Sequence, residues 1–132
     1  MGGHKIMVVD DNEDAADLLA TLLERLGNTT RVAHDARAAL QLADEFAPEL
    51  AVLDIGLPVI DGYQLAQQLR CGARTGSMHL IALTGYGQAS DKERAVEAGF
   101  DAHLVKPVAV DTLQKLIAQL TTALPQACTH RS

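Results

Sequence analysis

The chain has 132 residues, 17 of them acidic and 11 basic, for a formal charge of −6. That length suits one domain with a real core and excludes two. A net negative charge with no basic cluster argues against nucleic-acid binding by the chain itself. Apolar residues make up 48% but aromatics only 3%. The core must therefore come from Leu, Val, Ile and Ala, which suits a parallel sheet covered by helices. Cys71 and Cys128 lie far apart, outside any metal or redox spacing, and read as two reduced thiols. No run is apolar and long enough to span a bilayer. The N-terminus lacks the apolar stretch of a signal peptide, so the expected location is cytoplasmic.

Apolar strands and amphipathic helices alternate along the sequence. Lys5 to Val9 reads as a buried strand. Asp10-Asp11-Asn12 opens a helix with a stripe of Leu18, Leu19, Leu22, Leu23 and Leu26, and Gly27 suits the position just past its end. Thr29 to Ala33 is a second, more polar strand, expected at an edge. Asp35 to Phe46 carries Ala38, Ala39, Leu42 and Phe46 at helical spacing, and Pro48 closes the unit. Leu50 to Leu53 is a short apolar strand ending at Asp54. Residues 56–62 form a loop and Tyr63 to Arg70 a helix. His79 to Leu83 is the fourth strand, ending at Thr84. A loop of Gly85-Tyr86-Gly87 and a polar helix from Ala89 to Ala98, capped by Gly99, follow. Ala102 to Val105 is the fifth strand, followed by Lys106-Pro107. Val110 to Ala123 is the last helix, with Leu113, Leu116, Ile117 and Leu120 inward.

Five βα units of this size predict an α/β fold: one five-stranded parallel sheet with helices on both faces. The expected strand order is 2-1-3-4-5, the flavodoxin-like arrangement, with chemistry at the carboxyl ends of the strands. Residues 4–123 form the domain, and 1–3 and 124–132 are expected to be flexible ends.

On this layout strand one ends in Asp10-Asp11, strand three in Asp54, strand four in Thr84 and strand five in Lys106-Pro107. An Asp at a strand end is ordinarily a cap or turn residue. The coincidence of such groups on four of five strand ends makes a site the better reading. Three crowded carboxylates require a cation, and oxygen donors without His or Cys suit Mg²⁺. A cation there offsets the charge of an incoming phosphoryl group. A carboxylate can then act as nucleophile and form an aspartyl phosphate. A Lys ammonium and a Thr hydroxyl complete the electrostatics.

The series Asp10-Asp11, Leu53-Asp54 with Leu57-Pro58-Val59-Ile60-Asp61-Gly62, Leu83-Thr84-Gly85 and Val105-Lys106-Pro107 resembles the receiver domain of two-component response regulators. The resemblance covers roughly residues 4 to 123, with the motifs in order at their strand ends. It implies a phosphoacceptor signalling domain rather than an enzyme with a separate substrate. In that reading Asp54 is the phosphoacceptor. Asp10, Asp11, Asp54 and the backbone carbonyl of Gly56 hold Mg²⁺, with Mn²⁺ as a substitute. Thr84 is the switch hydroxyl, Lys106 binds phosphate, and Gly85 keeps space beside it. Pro107 follows a cis peptide bond, and Gly56 and Tyr86 tune dephosphorylation. Asp61-Gly62 forms the turn into the third helix. The implied donor is a phosphohistidine on a histidine kinase or a histidine phosphotransfer protein. The implied output surface is the helix over 89–98, strand five and the last helix, with no nucleic-acid or membrane contact by the domain itself. The wording around Asp54 and Thr84 resembles receivers attached to hybrid sensor histidine kinases.

Two departures stand out. Relatives most often carry Tyr or Phe three residues before the lysine, where this chain has His103. An imidazole can still rotate between inward and outward positions, so His103 is either the switch rotamer or a half-buried strand residue. Ala109 stands where relatives place a capping residue, and Asp111 can compensate through the helix dipole. His4, His34, His79 and His130 are scattered, without metal spacing, and read as surface or cap residues. A phosphatase of the haloacid-dehalogenase type also uses an aspartyl phosphate, but it needs a second Asp where Gly56 stands. A flavodoxin-like or dinucleotide-binding module needs a glycine-rich cradle where Asp10-Asp11-Asn12-Glu13 stands.

Overall fold

The computed structural model describes residues 3–55, 62–72, 76–84, 97–106 and 108–122. Strands β1 (Lys5–Val9), β2 (Thr29–Ala33), β3 (Leu50–Asp54), β4 (His79–Thr84) and β5 (Ala102–Val105) form one sheet. Its order is β2-β1-β3-β4-β5, and every pairing is parallel. Helices α1 (Glu13–Arg25), α2 (Ala36–Phe46), α3 (Gly62–Cys71) and α4 (Val110–Thr122) complete the described elements. The expected fold class and strand order are those observed. Of the helix read over 89–98, only its last two residues are described, and both are helical.

Strand side chains alternate between faces, so each strand feeds two cores. Met7, Val9, Ala51, Leu53, Leu80 and Ala82 point to the layer of α2 and α3. Ile6, Val8, Leu50, Val52, Ile81 and Leu83 point to the layer of α1 and α4. The central strands are apolar on both faces because both are covered. Of α4, Leu113 and Ile117 are fully buried, and Leu116 and Leu120 pack against the same cluster.

Two helical faces differ from the sequence reading. In α1 the inward stripe is Ala16, Ala20 and Leu23, with Leu19 partly buried, while Leu18 is 61% exposed and Leu26 is also exposed. In α2 the buried residues are Ala36, Ala39 and Ala43, and Ala38 is exposed. In both cases alanines let the helix lie close to the sheet, beside the fully buried Leu23 of α1 and the partly buried Leu40 and Leu42 of α2.

Local signals explain the element ends. Asn12 Oδ1 accepts from the Ala15 amide at 3.1 Å and starts α1. At its other end Gly27 (φ 101°) donates to the Glu24 carbonyl and Asn28 to that of Leu23, a Schellman closure. Asp35 Oδ1 accepts from the Ala38 amide at 2.8 Å and starts α2 only two residues after β2 ends.

Candidate functional site

Four strands deliver the candidate side chains to one end of the sheet. The β1–β2 ladder extends one step past Val9, because the Asp10 amide donates to the Ala33 carbonyl at 3.1 Å. That step carries Asp10 to the sheet's rim, 4% exposed, with Asp11 outside it in solvent. Asp54 is the last residue of β3, in register with Leu83, and is 7% exposed. Thr84 closes β4. The Lys106 amide donates to the Thr84 carbonyl at 2.7 Å, which fixes where the chain leaves β5.

Carboxylate oxygens of Asp10, Asp11 and Asp54 lie within 4.8 Å of one another. Lys106 Nζ sits 3.4 Å from Asp10 Oδ2 and 3.2 Å from Asp54 Oδ2. Asp10 Oδ1 accepts from the Asn12 amide at 3.0 Å. Among the described residues, three carboxylates thus cluster with one ammonium, which touches Asp10 and Asp54. Partial burial alone would lower the pKa of Lys106, but the charges of Asp54 and Asp10 outweigh it and hold the ammonium above its ordinary 10.5. Lys106 is therefore a fixed positive charge at neutral pH.

Thr84 Oγ1 is buried and, among the described residues, has no hydrogen-bond partner. A buried hydroxyl without a partner costs stability. Its place on the strand next to the one that ends in Asp54 suits a group that gains a partner during function.

The donor set fits a hard divalent cation. All three side chains offer carboxylate oxygen, one is solvent-facing, and among the described residues one ammonium leaves an excess of negative charge.

Of the residues singled out from the sequence, Asp10, Asp11, Asp54 and Lys106 converge, and Thr84 ends the strand between those of Asp54 and Lys106. His103 is half-buried on β5, paired in register with Ala82. Gly56, Asp61, Gly85, Tyr86 and Pro107 lie outside the described residues. The sequence reading missed His34. Its ring Nδ1 sits 3.1 Å from the Asp10 carbonyl oxygen, a contact across 24 residues that no spacing rule encodes.

A family model described as the response regulator receiver domain matches residues 6–118. Over 120 residues the chain is 38% identical to an uncharacterised 14.6 kDa protein of Leptolyngbya boryana, covering 91% of this chain and 92% of that one. It is 33% identical to the DNA-binding dual master transcriptional regulator RpaA of Synechocystis, where 96% of this chain matches 54% of the relative. The chain therefore spans about half the length of that regulator. The signal receiver domain of a signal transduction histidine kinase from Syntrophus aciditrophicus superposes with a TM-score of 0.82 at 26% identity, covering 92% of each chain.

Proposed function

The chain belongs to the response regulator receiver domain family, and from that premise we propose that Asp54 accepts a phosphoryl group and that the domain signals by the resulting change of shape. The observation that carries this reading is the convergence of Asp10, Asp11, Asp54 and Lys106 at the strand ends.

An Asp54 carboxylate oxygen attacks phosphorus on a phosphohistidine. The O–P bond forms as the P–N bond breaks, and the electron pair leaves with the imidazole. Lys106, already beside Asp54, pairs its ammonium with a phosphoryl oxygen. Asp10 and Asp11, with Asp54, would hold Mg²⁺, which when bound offsets the charge of the carboxylates and of the phosphoryl oxygens. The backbone carbonyl of Gly56 is the proposed further ligand. The unpartnered Thr84 hydroxyl donates to a phosphoryl oxygen and so leaves its present position. His103 follows toward the space vacated, which alters the surface of β5 and α4, where Val105 is already 49% exposed. The change is a shift between two pre-existing populations.

The donor is a histidine kinase or a phosphotransfer protein. The output is a partner or an attached domain, as the matches to part of a transcriptional regulator and to the receiver of a histidine kinase suggest.

The test is intact mass after incubation with acetyl phosphate and Mg²⁺. A gain of one phosphoryl group, lost in Asp54→Asn and in EDTA, is expected. An equal gain in Asp54→Asn removes Asp54 as acceptor.

A further inference from the structure

His34 touches the site without belonging to it. It is the first of two residues between β2 and α2, and both neighbours are fixed. Ala33 is held in the β2 ladder against Val9, and Asp35 caps α2 through its side chain. Residue 34 therefore has little freedom of its own. Its half-buried ring points back at β1, with Nδ1 3.1 Å from the Asp10 carbonyl oxygen. A carbonyl only accepts, so Nδ1 carries the hydrogen.

The Asp10 main chain is thereby gripped on both sides by the end of β2. Its amide donates to the Ala33 carbonyl at 3.1 Å, and its carbonyl accepts from His34. That carbonyl shares one rigid peptide plane with the Asp11 amide. Holding its oxygen fixes the torsions that set the two adjacent carboxylates relative to each other. The Asn12 amide adds a third restraint, on Asp10 Oδ1.

We propose that His34 is a positioning residue for the acid cluster: by donating to the Asp10 carbonyl it fixes the peptide joining Asp10 to Asp11, and with it the orientation of their carboxylates toward Mg²⁺. This deepens the receiver reading and rests on it, because it takes Asp10 and Asp11 as the cation's ligands. His34 makes no contact with the cation itself and acts through the backbone.

The experiment is a calorimetric titration of Mg²⁺ into the wild type, His34→Asn, His34→Phe and His34→Ala, with amide chemical shifts read at Asp10 and Asp11. Asn places its Nδ2 donor where His places Nδ1, whereas Phe keeps the ring without a donor and Ala removes both. Loss of one hydrogen bond predicts Mg²⁺ affinity about three- to tenfold weaker in the Phe and Ala variants, and within about twofold of wild type in His34→Asn. Thermal melts in EDTA identify folded variants, and Ala stands in if Phe does not fold. A merely structural role would lower the melting temperature and leave the affinity unchanged. Folded donor-less variants that bind like the wild type overturn the proposal, as does His34→Asn binding as weakly as they do. A wild type that binds no Mg²⁺ overturns the metal reading of the acid cluster, and this proposal with it.

Discussion

The two ends of the sheet are built on opposite principles. Among the described residues, three carboxylates cluster at the carboxyl ends with Lys106 against two of them, and a buried hydroxyl lacks a partner. At the amino ends the described polar groups are paired. Arg70 donates to the carbonyls of Gly76, Met78 and Gly99 and to Asp101 Oδ2, and the same Asp101 oxygen accepts from the Leu80 amide at 2.8 Å. His4 meets Glu49 at 2.8 Å, and Asn28 ties the Leu23 carbonyl to Gln114. One end holds the strands together. The other holds charge in excess, which a cation and a phosphoryl group can use. Stability and chemistry are thus separated along the strands, and substitutions at the two ends should have separable effects.

Asp54→Asn gives the largest effect. It should abolish phosphoryl gain from acetyl phosphate, read by intact mass. The melting temperature in EDTA should hold or rise, because one of three repelling charges is gone. A large fall in that temperature would mean the acid cluster is a stabilising element after all.

Arg70→Met should have the reverse profile. It removes the guanidinium from three carbonyls and from the Asp101 carboxylate, which keeps the Leu80 amide, for a loss of about 2–4 kcal/mol in urea unfolding. The rate of phosphorylation of the folded fraction should stay near that of wild type. A coupled loss of both would show that the two ends are not independent.

Gly62→Ala probes the link between them. A Cβ there would lie 2.6 Å from Ile55 Cα and 2.8 Å from the Asp54 carbonyl oxygen, both backbone atoms that cannot step aside. Unfolding should show about 1–3 kcal/mol of lost stability, with amide shifts moving at Asp54 and Ile55.

Lys106→Met removes a charge that competes for the carboxylates of Asp10 and Asp54. Mg²⁺ should bind several-fold tighter by calorimetry, while beryllofluoride should no longer produce the spectral change expected of wild type. Weaker Mg²⁺ binding would mean the lysine organises the cluster more than it competes. His4→Ala is the smallest change. Its partner Glu49 is 47% exposed, so the free energy of unfolding should move by less than about 1 kcal/mol.

The sequence by itself determined the five strands, their order and the residues at their carboxyl ends. Uninterrupted runs such as Ile6 to Val9 and Leu50 to Leu53 fit only strands covered on both faces. Parallel strands carry all their carboxyl ends to one rim, where Asp10, Asp54 and Lys106 come together and Thr84 ends β4. Helix ends were legible at Gly27 and Asp35, whose caps are local chemistry. The tertiary structure decided which face of each helix turns inward. Leu18 outside and Ala16 inside reverse a hydrophobicity ranking, because close approach of a helix to the sheet favours small side chains. It also decided the distant contacts that lie outside the strand-end pattern. Arg70 against Gly99 and Asp101, and His34 against the Asp10 carbonyl, depend on where two loops come to rest. A periodic pattern encodes a residue's own element, but not the side chain that a neighbouring strand brings beside it.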